Sequence, residues 1–242
     1  AYLPHAGKAM DVSSVLPDGG RLLPSGTDVM FDNRTHWMTD VEGGNYRVFA
    51  IDGSDAQRGD ATGENMIERY CTGNFLAGQR LIYASASGLP VGRYIFKAVA
   101  QKGADGGVIE LFANDDRSPV TSVKVLRETE VATDVLDQDL TVGVESGWVS
   151  FADVALEYQS PYMLLEEAVA ASDTLTYGED KGGALKKAAD EARVLLVSGE
   201  ARERMAAYHT LLDAMEQYRL DNASVAHPVD LTVRIQNAGF DI

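Results

Sequence analysis

A single cysteine, Cys71, stands in 242 residues, so no intramolecular disulfide can form. The four histidines (His5, His36, His209 and His227) are scattered, and one thiol with four dispersed imidazoles cannot be assembled into a zinc or iron–sulfur ligand set. Basic residues are scarce. Lys and Arg number 21 against 37 Asp and Glu, a formal charge of −16 that repels phosphate backbones and anionic lipid surfaces, so a nucleic-acid partner is not expected. No run reaches the roughly 18 apolar residues that a membrane span requires, and no membrane insertion is expected. Catalytic signatures are missing as well. There is no G-x-S-x-G, H-E-x-x-H or P-loop, and no G-x-G-x-x-G following a strand. The opening Ala1-Tyr2-Leu3-Pro4 has neither an initiator Met nor an apolar signal core, and reads as a mature form or an excised piece.

What is present changes character near Ser160. Before it, short β-like runs at 48–51, 81–83, 94–99, 108–112, 120–126, 140–144 and 149–158 alternate with glycine-rich turns. Short strands at regular spacing, uninterrupted by an amphipathic helix, predict an antiparallel β-sandwich over 10–159 and argue against a parallel α/β sheet. Gly88-Leu89-Pro90-Val91-Gly92 reads as a tight connection between two strands that pair with each other. Leu81, Tyr83, Tyr94, Phe96 and Ala98 alternate around it.

After Ser160 the apolar period shifts from two to about 3.6. Ser160-Pro161 is a helix start, with Ser as N-cap and Pro in the first turn. Three stripes follow: Leu165, Ala168, Val169 and Ser172; then Leu185, Ala188, Ala189, Ala192, Leu195 and Leu196; then Met205, Tyr208, Leu212 and Met215. They predict a separate bundle of three helices over 160–226, behind a binding module spanning 1–159. His227-Pro228 stops the last helix. From 229 the alternation returns, with Leu231, Val233 and Ile235 on one face. Residues 229–236 are therefore expected to be extended and paired with some sheet, and 227–242 to be the opening strand of a further module or an added edge strand.

Several stretches carry a family resemblance. Ile67-Glu68-Arg69-Tyr70, Asn74-Phe75, Gly78-Gln79-Arg80-Leu81 and Gly88-Leu89-Pro90-Val91-Gly92-Arg93-Tyr94 resemble the galactose-binding-like, jelly-roll carbohydrate-binding modules of bacterial surface and polysaccharide-utilisation proteins. The loop at Asn114 and the stretch Trp148 to Tyr158 are similar to that family's closing strands, with Ala152 before Asp153 and the family's Asn missing. The resemblance implies a jelly-roll β-sandwich followed by a three-helix spacer. It also implies a secreted or cell-surface bacterial location and a glycan or cell-surface polysaccharide as partner.

Sugar recognition stacks flat aromatic rings on a pyranose and satisfies its hydroxyls with convergent polar groups. Trp37 in its polar setting, Tyr46, Arg47, Tyr70, Asn114 and Asp115 are the candidate ligand-binding residues. Core packing is the alternative account of each aromatic, and of Trp148 in particular. Asn114-Asp115-Asp116 and Asp52-Gly53-Ser54-Asp55 offer oxygen donors of the kind calcium takes, although turn formation explains them equally; no other cofactor is expected. The leading reading is a non-catalytic carbohydrate-binding module of an exported multidomain protein. A structural or adhesion spacer without a ligand is the first alternative. An accessory part of a larger glycoside hydrolase or peptidase is the second.

Overall fold

A computed structural model describes residues 9–20, 37–40, 46–51, 57–70, 78–103 and 107–229. Cys71, the run 52–55 and the expected C-terminal strand from 230 onward lie outside the described residues. The chain divides into two compact units, Lys8–Gln159 and one that runs from Ser160.

The first unit contains strands β1 (Met10–Asp11), β2 (Tyr46–Ala50), β3 (Asn65–Arg69), β4 (Arg80–Ala86), β5 (Gly92–Lys102), β6 (Glu110–Ala113), β7 (Asp116–Pro119), β8 (Arg127–Val135), β9 (Leu140–Glu145) and β10 (Val149–Gln159). They form two antiparallel sheets. One runs β2-β3-β10-β5-β8, with β1 also on β10, and the other runs β4-β9-β6-β7. Both sheets contribute to one core. Ile67, Phe96, Ala98, Val131, Phe151 and Leu156 from the first meet Leu81, Ile82, Leu111, Val142 and Val144 from the second. Two sheets across a shared core make a β-sandwich. From β3 to β10 every connection switches sheets except the β6–β7 hairpin.

The connection Gly88 to Gly92 is one of these switches. It carries the chain from β4, paired with β9, to β5, paired with β10 and β8, and so corrects the expectation of a paired hairpin. Two core tyrosines hold the arch. Tyr94 Oη donates to Pro90 O (2.9 Å) and Tyr158 Oη to Val91 O (2.8 Å). A Cβ on Gly92 would fall 2.4 Å from the Tyr158 ring, which explains the glycine.

Residues 120–126 are not a regular strand. Lys124 adopts φ +61, and the stretch makes only isolated bridges, Gln57 with Val125 and Lys102 with Val123. The strand lies next along the chain, in β8, where Val131 and Val135 join the core while Glu128, Glu130 and Asp134 alternate onto the outer face.

The second unit contains α1 (Pro161–Ser172), α2 (Ala184–Ser198) and α3 (Ala201–Asp221). Ser160 Oγ accepts from Met163 N (3.3 Å), the predicted N-cap. Leu165, Ala168, Val169 and Ser172 of α1 are buried, as are Leu185, Ala188, Ala189 and Ala192 of α2. Leu195 and Leu196 are only half-buried. On α3 the buried stripe is Met205, Tyr208, Leu211, Met215 and Tyr218, so Leu211 takes the place expected for Leu212.

Candidate functional site

Alternation fixes which face of the six-stranded sheet each residue occupies. In β5, Phe96, Ala98 and Ala100 point into the sandwich, and Lys97, Val99 and Gln101 point away. On that outer face Lys97 is paired with Glu157 (2.9 Å), whose hydrogen bond is the main cause raising its pKa, and Arg93 bridges Asp134 (2.8 Å). Farther along, Met66, Val99 and Ala152 join Ile51, Ala61 and Leu126 in a second, smaller apolar cluster. One step beyond lies a polar row in register across four strands: Arg47 opposite Glu68, Glu68 opposite Ser150, and Ser150 opposite Gln101. Ser150 and Gln101 are buried, and Glu68 is half-buried.

The row is closed at the strand ends by two aromatic rings. Tyr70 directly follows β3 and Trp148 directly precedes β10; both are half-buried. Their rings meet edge to face, with centroids 5.1 Å apart at 73°. The sequence builds this corner from left-handed residues. Ser146 (φ +64) and Gly147 (φ +74) turn the chain from β9 into β10. Arg69 Nη1 donates to Gly147 O (2.9 Å), and Gly78 N donates to Ser146 Oγ (3.1 Å), which tie the turn to the end of β3 and the approach to β4. The indole then rests on Gly103, whose amide donates to Trp148 O (3.0 Å).

The six residues expected at a binding site separate into three places. Tyr46 pairs with Arg69 and Arg47 with Glu68, so the start of β2 reaches the same corner as Tyr70. Asn114 and Asp115 lie at the opposite end of the unit, in the two-residue β6–β7 turn. Asn114 adopts φ +51, its Oδ1 accepts from Thr141 N (2.8 Å) and its backbone N–H donates to Thr141 O (2.8 Å), so the turn is tied to the start of β9. Trp37 is only 1% exposed and belongs to the sandwich core, which corrects its reading as a stacking surface. The reason is alternation again: Met38 exchanges two backbone hydrogen bonds with Tyr83 on β4, which turns the preceding side chain inward. The polar neighbours in sequence gave no sign of that edge pairing. Trp148, which the sequence favoured as core, is the half-exposed indole.

A cleft of about 290 Å³ opens beside the β10 bulge between Phe151 and Val154. Glu64, Asn65 and Asp153 supply its side-chain oxygens, and Asp153 Oδ2 already accepts from Thr62 N (2.7 Å) and Oγ1 (2.9 Å). Among the described residues no group of three or more His, Cys, Asp or Glu is placed to hold a metal ion, and Asn114 and Asp115 form the turn between β6 and β7. Among the described residues the sandwich carboxyl groups that shift, Asp11, Asp40 and Asp60, are lowered chiefly by hydrogen bonds from Ser13, Arg80 and the Glu128 amide. Among the described residues no helix is long and apolar enough to cross a membrane.

No protein-family model matches the chain, and no curated protein sequence matches it. Solved structures do resemble it. A Stig cyclase from Fischerella sp. TAU, bound to an indole ligand, is 16% identical over 63% of this chain and 98% of its own, with a TM-score of 0.47. The carbohydrate-binding module TmCBM61, bound to β-1,4-galactotriose, is 15% identical over 56% of this chain and 100% of its own, at 0.38. The CBM51-2 and INT domains of ZmpB from Clostridium perfringens are 14% identical over 75% of this chain and 44% of theirs, at 0.30. At these scores the functional reading rests on the geometry of the chain itself.

Proposed function

We propose that the chain is a non-catalytic glycan-binding module of an exported bacterial protein, with a jelly-roll sandwich as the binding unit and the three helices as a spacer. The observation that carries the reading is the half-buried Tyr70–Trp148 pair beside the polar row Glu68, Ser150 and Gln101. An aromatic platform next to hydrogen-bonding groups is what a pyranose requires. The strand order supports the jelly roll: β3-β10-β5-β8 against β4-β9-β6-β7 is the double Greek key of eight strands. A net charge of −16 favours neutral glycans over polyanionic ones. Tyr46 and Arg47 lie in register with Arg69 and Glu68 at the start of β2, whereas Trp37, Asn114 and Asp115 fall outside the proposed site.

Affinity electrophoresis against a panel of neutral polysaccharides tests the proposal. Retardation by at least one polysaccharide, abolished in Trp148→Ala and Tyr70→Ala variants that keep the wild-type far-UV spectrum, is the expected result. Retardation untouched by either substitution would remove the corner as the site. Silence of the wild-type chain across the panel would favour the ligand-free spacer.

A further inference from the structure

The chain leaving α3 turns back on the helical unit. Helix α3 ends at Asp221, and Ser224 and His227 then close a tight turn: Ser224 N donates to His227 O (3.0 Å) and His227 N donates to Ser224 O (3.1 Å). The imidazole of His227 stacks on the ring of Tyr177, with centroids 4.0 Å apart at 14°. Tyr177 also meets Tyr218 of α3 edge to face, at 5.4 Å and 72°. Tyr218 Oη donates to Gly178 O (3.0 Å) and accepts from Gly178 N (2.7 Å). Asn222 accepts from Glu179 N (3.0 Å) and donates to Glu179 O (3.1 Å). A Cβ on Gly178 would fall 2.1 Å from Asn222 Oδ1, so the loop after α1 and the end of α3 approach too closely for any other residue there.

We propose that residues 222–229 are a docked strap and not a free linker, held by the stack of His227 on Tyr177, so that the chain leaves the helical unit in a fixed direction. The composition of the strap points to His227 as its anchor. It reads Asn222-Ala223-Ser224-Val225-Ala226-His227-Pro228-Val229, with one aromatic ring and few large apolar groups, and Val225 is fully exposed. Such a stretch buries too little to order itself. Pro228 restricts His227 to extended backbone, which lowers the entropy lost when its ring docks.

Amide hydrogen exchange on the full chain tests this. In His227→Ala the amides of residues 224 and 227 should exchange roughly three- to tenfold faster, the scale of one lost aromatic pair, while the amides of α1, α2 and α3 stay protected. Tyr177→Leu should do the same from the other side. His227→Tyr, which keeps a ring, and Val225→Ala, which touches nothing, should both retain wild-type protection. The proposal is overturned if these two amides already exchange at free-peptide rates in the wild-type chain, or if His227→Ala leaves them unchanged.

Discussion

The indole of Trp148 lies so close to Gly103 that a Cβ there would sit 2.3 Å from its Cδ2 and Cε3 atoms. Gly103 is therefore a seat that sets where the ring stands, and Tyr70 packs against it from the neighbouring strand end. In Gly103→Ala the ring must move, because the methyl group cannot. Overpacking of this kind costs on the order of 1–3 kcal/mol. We expect a lowered melting temperature, a changed near-UV signal and weaker retardation on whatever polysaccharide retards the wild type. Trp37 is buried elsewhere in the core, so it should contribute an unchanged background. Wild-type stability and spectrum in this variant would show that the indole is not seated as described.

On the outer face of the four-stranded sheet, Arg117 Nε donates to Glu145 Oε1 at 2.6 Å, and the Glu145 side chain is only 6% exposed. The arginine also covers Phe112, with its guanidinium carbon 5.1 Å from the ring centroid. Removing the cation leaves a buried carboxylate without its partner, whereas neutralising the carboxylate leaves an amide that still accepts a hydrogen bond. Arg117→Ala should cost about 1–3 kcal/mol in urea unfolding, a reduced figure because Arg117 is partly solvated, and Glu145→Gln distinctly less. The reverse order would mean that the pair does not screen a buried charge.

Acid should weaken the sandwich. Asp40 is held below the ordinary carboxylate value chiefly by its hydrogen bond from Arg80, Asp11 by Ser13 and Asp60 by the Glu128 amide. A depressed folded-state value means that the unfolded chain takes up the proton first. The stability from these groups is therefore present above about pH 4 and is lost as pH falls through the lower folded values. Lys97 runs the other way. Its hydrogen bond to Glu157 raises it, so its contribution persists through neutral pH and fades only above about 10.4. Asp40→Asn should flatten the acid limb of a melting-temperature profile while leaving the alkaline limb in place. The effect should be modest, since the Asp40 side chain is 37% exposed. An acid limb of unchanged steepness in that variant would assign it to other groups.

Alternation and capping carried much of the fold in the sequence. Leu140 and Val142, Phe151 and Leu156, and the Ser160 cap all sit where their patterns indicate. Pairing was harder to read, because a strand pattern does not name its partner. Gly88 to Gly92 has the composition of a hairpin turn, yet it crosses between sheets, and only the distant tyrosine at 158 explains the glycine at its end. In β8 the charges of Glu128, Glu130 and Asp134 hid a strand whose opposite face is Val131 and Val135. The candidate site depended on the same missing knowledge. Tyr70 and Trp148 are 78 positions apart and meet only because β3 and β10 are neighbours, and Trp37 is turned inward by the bridge of Met38 to Tyr83, which nothing in that segment announces.

Helix α3 offers a sharp test of which face is buried. Tyr208 is followed by two adjacent leucines, at three and four positions on, and either spacing continues an apolar stripe. Periodicity alone cannot choose between them. In the structure Leu211 is 0% exposed and lies in the stripe of Tyr208, Met215 and Tyr218, while Leu212 is half-buried at its margin. Truncating a fully enclosed leucine removes the transfer free energy of its methyl groups and leaves a cavity, together roughly 2–5 kcal/mol. Truncating a marginal one lets water fill the space and omits the cavity cost. Leu211→Ala should therefore lower the melting temperature of the helical unit far more than Leu212→Ala. Leu196→Ala, also half-buried, should resemble the milder variant. Each can be followed by circular dichroism at 222 nm, where the three helices dominate the signal. Equal losses in the two adjacent variants would mean that α3 is rotated from the orientation described, and a larger loss in Leu212→Ala would reverse its buried face.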